Sequence, residues 1–187
     1  GNITFNSIGK FAFGTNQSYI TVKPTKTFTL NFDGTASFAT PIGNTNSGVA
    51  QGDVIIQSNQ QNSFTSSFDL STINLSSSLS SLTIGKTTNT SDVTFGANTT
   101  IAGPITTYGR NININGDLNT SSVSGGDILL KASGNIEQAA SKSIVTNGGN
   151  VVLWANSDNE STFGSVALRN GSSIITGSSS VTGGHVW

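Results

Sequence analysis

Apolar and polar residues alternate in short runs along this chain. Phe28, Leu30 and Phe32 alternate with Thr27, Thr29, Asn31 and Asp33, and Phe11-Ala12-Phe13 and Val54-Ile55-Ile56 have the same character. A strand places successive side chains on opposite faces, so such runs predict half-buried β-strands. In the C-terminal half the pattern recurs after glycines. Asn111-Ile112-Asn113-Ile114-Asn115 follows Gly109-Arg110, Asp127-Ile128-Leu129-Leu130-Lys131 follows Gly125-Gly126, and Asn150-Val151-Val152-Leu153-Trp154 follows Gly148-Gly149. Ser165-Val166-Ala167-Leu168-Arg169 and His185-Val186-Trp187 continue the series, each behind a glycine. The second and fourth positions are aliphatic, which predicts one buried face per strand.

From Ile112 to Val186 these segments step by 16, 23, 15 and 20 residues, or about 19 on average. A second short apolar element lies between them, as in Ile144-Val145-Thr146 and Ile174-Ile175-Thr176. Coils of about 19 residues with several short strands and Gly or Asn at the corners predict an all-β, parallel β-helix (β-solenoid). Residues 77–187 read as regular solenoid repeats. Residues 1–76 read as a β-rich portion that is less regular: wider coils, a decorating hairpin or a separate small β-module.

Composition narrows the function. The chain holds 29 Ser, 25 Thr and 21 Asn among 187 residues, with 9% charged residues, no Cys and a formal charge of -1. No basic face is available to displace counterions, so nucleic-acid binding is not expected. No apolar run is long enough to predict a membrane span, and no signal peptide is evident. The lack of Cys removes disulfides, thiol catalysis and Cys-based zinc sites. No cofactor is implied.

The runs Ser81-Leu82-Thr83-Ile84-Gly85, Ile101 to Gly109, Gly126 to Ile136 and Thr146 to Asn156 resemble the passenger repeats of very large bacterial exoproteins of the filamentous-haemagglutinin type. The resemblance covers roughly residues 80–187. It implies a right-handed β-helix, secretion to the extracellular space or bacterial cell surface, and a role in adhesion or biofilm. The Asn-Pro-Asn motifs of that family's secretion domain are missing: the prolines at 24, 41 and 104 follow Lys23, Thr40 and Gly103. With no initiator Met and a repeat broken off at Trp187, the chain reads as an internal passenger segment of a longer protein.

Candidate sites divide unequally. His185 stands in the polar position at a strand start, a structural place rather than a catalytic one. The nine carboxylates are scattered, with Asp158-Asn159-Glu160 the closest group, so the enzyme alternative (a polysaccharide lyase or glycoside hydrolase) lacks a visible carboxylate pair. Asp158 and Glu160 could hold an adventitious cation. Ice binding is a third alternative, but the threonines form no regular Thr-x-Thr ladder. The stronger candidate is an outward strip: the fifth repeat position gives Lys131, Trp154 and Arg169, a Trp between two cations suited to cation–π stacking. Beside it run Leu129, Val152, Ala167 and Trp187. The strip is expected either to lie under a covering loop or to meet a receptor, glycan or protein partner. The expected function is non-catalytic: a rigid rod in adhesion, biofilm or fibre formation, its partners a host receptor or glycan, neighbouring repeats, or further copies in a homopolymer.

Overall fold

A computed structural model describes residues 1–13, 20–43, 51–122, 125–159 and 164–187. Its strands stack into a parallel β-solenoid. The first sheet has seven strands in the order β1 (Ile3–Ser7), β3 (Thr27–Phe32), β5 (Asp53–Gln57), β8 (Ser81–Ile84), β11 (Ile105–Gly109), β14 (Ile128–Ala132) and β17 (Val151–Trp154). The second has five: β6 (Phe68–Asp69), β9 (Val93–Phe95), β12 (Ile112–Ile114), β15 (Ile136–Gln138) and β18 (Val166–Leu168). The third place in the coil is taken first by β2 (Phe11–Phe13), β4 (Ala36–Ile42) and β7 (Ile73–Leu75). A separate sheet then takes it over: β10 (Thr99–Thr100), β13 (Leu118–Asn119), β16 (Ser143–Val145) and β19 (Ser173–Ile175). Every strand pairs in parallel with its counterpart one coil away. The strands of residues 1–76 join these stacks, and β1, β3 and β5 belong to the first sheet.

Register defines the coil. Phe28, Val54, Leu82, Ile105, Ile128 and Val151 stand one above another, all fully buried. Leu30, Ile56, Ile84, Thr107, Leu130 and Leu153 form the adjacent inner column. Aligned residues of the first sheet are separated by 23 to 28 positions, and a step of 19 occurs between Val93 and Ile112 of the second sheet. The shorter sequence spacing arose because the five superposed segments belong to two sheets. Ile112 and Val166 lie in the second, Ile128 and Val151 in the first, so the steps of 16 and 15 run between faces of a coil rather than between coils. Seven strands at about 4.8 Å make a stack on the order of 30 Å from first to last.

Coil content follows coil length. The long N-terminal coils enclose phenylalanines, with Phe11–Phe38 rings 5.2 Å apart and Phe64–Phe68 rings 5.0 Å apart. The two 23-residue steps from Ile105 to Val151 enclose chiefly Ile, Leu and Val. Val166 and Leu168 stand beneath Ile136 and Gln138 in inner columns, yet are 42% and 52% exposed, since β18 is the outermost described strand of the second sheet.

The polar residues that dominate the composition serve the stacking. A side-chain oxygen just before a strand accepts the backbone N–H of its counterpart one coil on. In the second sheet Asp92 Oδ1 accepts from Asn111 N (3.1 Å), Asn111 Oδ1 from Asn135 N (3.0 Å) and Asn135 Oδ1 from Ser165 N (2.9 Å). In the first sheet Asp127 Oδ1 accepts from Asn150 N (2.6 Å) and Asn150 Oδ1 from His185 N (3.0 Å). In the third, Asn98 Oδ1 accepts from Asp117 N (2.9 Å) and Asp117 Oδ1 from Ser143 N (2.8 Å). These bonds satisfy amides that the corners leave outside the strand ladders. His185 thus occupies the column of Asp127 and Asn150. Threonines form a matching column inside, where Thr120, Thr146 and Thr176 donate to the carbonyls of Gly126, Gly149 and Gly184.

Candidate binding strip and groove

Strands β11, β14 and β17 each place their fourth residue on the outward face of the first sheet. Tyr108 lies beside Lys131, and Lys131 beside Trp154. The Lys131 ammonium stands over the Trp154 ring, 4.3 Å from its centroid, and the indole is 50% exposed. A cation held over an indole gains from the ring's negative face, about 0.5–1 kcal/mol at an exposed site. Rigid strands fix both partners, which limits the entropy lost in keeping them together.

The second predicted row is also present in part. Val152 lies beside Leu129, and the bridge between Val151 and Val186 brings Trp187 beside Val152. Trp187 N donates to Val151 O (3.0 Å), and Trp187 O accepts from Leu153 N (2.8 Å). Trp187 is 64% exposed, its ring 5.0 Å from that of His185.

Arg169 does not belong to this strip. It follows β18 in the second sheet, where its Nε and guanidinium NH2 donate to Glu137 Oε1 and Oε2, each at 2.9 Å. Ala167 leaves the apolar row for the same reason, pairing with Glu137. The aliphatic pattern of Val166 to Leu168 matches a first-sheet strand, but the corner after Trp154 has already carried the chain to the next face. Tyr108 extends the strip at its other end, one coil before Lys131, so one cation stands between two aromatic residues. The 23-residue spacing from Ile105-Thr106-Thr107-Tyr108 to Ile128-Leu129-Leu130-Lys131 carried that signal.

Beside Tyr108 and Lys131 the surface sinks into a groove of about 380 Å³, whose walls include Thr87, Thr90, Ser157 and Asp158. One lip is built by residues 85–91. Gly85 adopts φ +78, and a side chain there would strike the Tyr108 carbonyl at 2.5 Å. Asn89, 4% exposed, donates to Tyr108 O (2.8 Å) while its Oδ1 accepts from Ser63 Oγ (2.8 Å) and Phe64 N (3.2 Å). The lip is therefore bolted both to the strand carrying Tyr108 and to the preceding coil. Asp158 lines this groove; Glu160, its expected companion in a cation site, lies outside the described residues.

Carboxylates elsewhere in the described coils are engaged in stacking. Asp33 accepts from Ser58 Oγ and Asn59 N, Asp53 from Ser81 Oγ, and Asp69 from Ser71 N and Gly96 N. Asp92 accepts from Arg110 Nε (2.9 Å) and NH2 (3.0 Å), and this Arg110 bond is the main reason its carboxyl lies below the usual range. The Ser143 backbone amide does the same for Asp117, and Arg169 for Glu137. A general acid needs the opposite shift. Among the described residues no three His, Cys, Asp or Glu side chains gather where they could hold a metal ion, and no helix is long and apolar enough to cross a membrane.

No protein family, curated protein or solved structure matches the chain. The β-solenoid fold itself is consistent with repeat-protein superfamilies.

Proposed function

We propose that this chain is a non-catalytic structural and adhesive segment of a large secreted or cell-surface bacterial exoprotein of the filamentous-haemagglutinin type. The observation that carries this reading is the seven-stranded parallel sheet over columns of buried side chains that run from coil to coil. Its hydrogen bonds run along the stack, so the coils brace one another and hold outward side chains at fixed spacing. A rod of this kind projects a contact surface away from a cell and resists collapse. The strip at Tyr108, Lys131 and Trp154 supplies such a surface, because aromatic groups on a rigid support make contacts at low entropic cost.

The test is display on a non-adherent bacterium. Cells carrying the chain on an outer-surface anchor should be retained on host-cell monolayers and mucin-coated surfaces more than cells carrying a flexible Gly/Ser linker of equal length. Equal retention would overturn the adhesive reading.

A further inference from the structure

We infer that the groove beside Tyr108 and Lys131, together with the half-exposed Trp154, is a binding site for a neutral oligosaccharide. This deepens the adhesive reading and rests on it for its biological setting, though not for its chemistry. The groove, at about 380 Å³, falls in the range of roughly 300–1,000 Å³ in which small-molecule sites are found. Thr87, Thr90, Ser157 and Tyr108 line it, and the hydroxyl of each can donate and accept. Lys131 adds a donor and Asp158 an acceptor. A sugar's vicinal hydroxyls, which also donate and accept, find complementary partners on every side of such a lining.

Charge sets the class of sugar. Lys131 and Asp158 contribute one positive and one negative group to the same groove, so the site offers no net field to a polyanion. A uronate or sulfate drawn by the ammonium meets the carboxylate of Asp158, while an uncharged glycan gains hydrogen bonds from both. The Trp154 indole lies directly beyond Lys131 in the strand register, where the apolar C–H face of a pyranose can pack on it. The support is built in advance: three paired strands carry Tyr108, Lys131 and Trp154, and Asn89 ties the groove lip to Tyr108. Little of the binding free energy is then lost to ordering the site.

The two tryptophans make the test direct. Trp187→Phe leaves Trp154 as the sole indole reporter. The purified Trp187→Phe chain is titrated with cellotetraose, maltotetraose, mannotetraose and galactotetraose, and with tetragalacturonate and a heparin tetrasaccharide, by fluorescence. The chain with both tryptophans is titrated by calorimetry. The expected result is saturable binding of at least one neutral tetrasaccharide, insensitive to added salt. That binding should weaken about tenfold or more in Trp154→Ala and in Tyr108→Ala, with the β-sheet circular dichroism of both variants unchanged. Lys131→Ala, which keeps both aromatic groups, should weaken it less than the loss of either ring. Failure of all four neutral sugars, binding of the anionic sugars alone with affinity falling as salt rises, or undiminished binding by folded Trp154→Ala and Tyr108→Ala would each overturn the inference. Displayed chains that adhere despite Trp154→Ala and Tyr108→Ala would sink the groove while sparing the adhesive reading. Sugar binding by a chain that fails to retain cells would do the reverse.

Discussion

The side chain of Asn135 accepts the backbone N–H of Ser165, thirty residues later in sequence and one coil further along the stack, at 2.9 Å. The bond joins two coils at a corner, where strand ladders cannot reach. The same oxygen accepts from Ser165 Oγ at 3.1 Å, so Asn135→Ala should lower stability by about 1–2 kcal/mol, the net worth of two such hydrogen bonds, whereas Asn135→Asp, which keeps the acceptor, should cost less. Urea denaturation of the two variants checks this. Equal losses would mean that the amide donor, and not the accepting oxygen, matters at this corner.

Thr107 interrupts the inner column between Ile84 and Leu130, fully buried, and its hydroxyl finds no partner among the described residues. Valine has nearly the same shape without the polar atom. Thr107→Val should therefore stabilise the chain by about 1 kcal/mol, because an unsatisfied buried hydroxyl costs free energy that a methyl does not. A lower thermal midpoint for the variant would refute this.

Position along the stack should grade the cost of truncating inner residues. Ile112 is fully buried between Val93 and Ile136, while Leu168 in the last coil is 52% exposed. Ile112→Ala should cost about 2–5 kcal/mol, the usual range for a buried large-to-small change. Leu168→Ala, with half its surface already in water, should cost about 1 kcal/mol or less. Denaturant midpoints of the pair read the difference directly.

Acid should loosen the second sheet through Asp92. Its carboxyl is held below the ordinary value by the Arg110 guanidinium and by the Asn111 amides. A group whose folded pKa is depressed contributes fully above its unfolded pKa, near 3.9 for Asp, and loses that contribution as pH falls through the folded value. Stability measured from pH 6 downward should therefore fall below about pH 4, and Asp92→Asn should flatten that limb while lowering the plateau. An unchanged acid limb in Asp92→Asn would show that other carboxylates dominate it.

The sequence disclosed a parallel solenoid because strand alternation and corner residues are local signals. Ile128 and Leu130, or Val151 and Leu153, declare their inner face by themselves, and the Lys131–Trp154 contact followed from aligning those two segments. What remained hidden was the assignment of each strand to a sheet. Val166-Ala167-Leu168 looks like Val151-Val152-Leu153, yet the two lie on different faces of one coil, and Arg169 went with it to Glu137. Alternation gives the face of a strand, not its place around the coil. The groove was hidden for a related reason: its walls come from four coils, and only stacking brings residues 87–90, Tyr108, Lys131 and Ser157 together.

Corners that close by side chain to backbone, while the strands alone keep register, leave coil length unconstrained: aligned positions differ by 19 residues at one step and 30 at another. Insertions and deletions at a corner then change the outer profile without shifting a single inner column. Such a chain can lengthen, shorten and exchange its surface loops piecemeal. What it inherits is a grammar of strand starts and inner pairs, with no fixed word length.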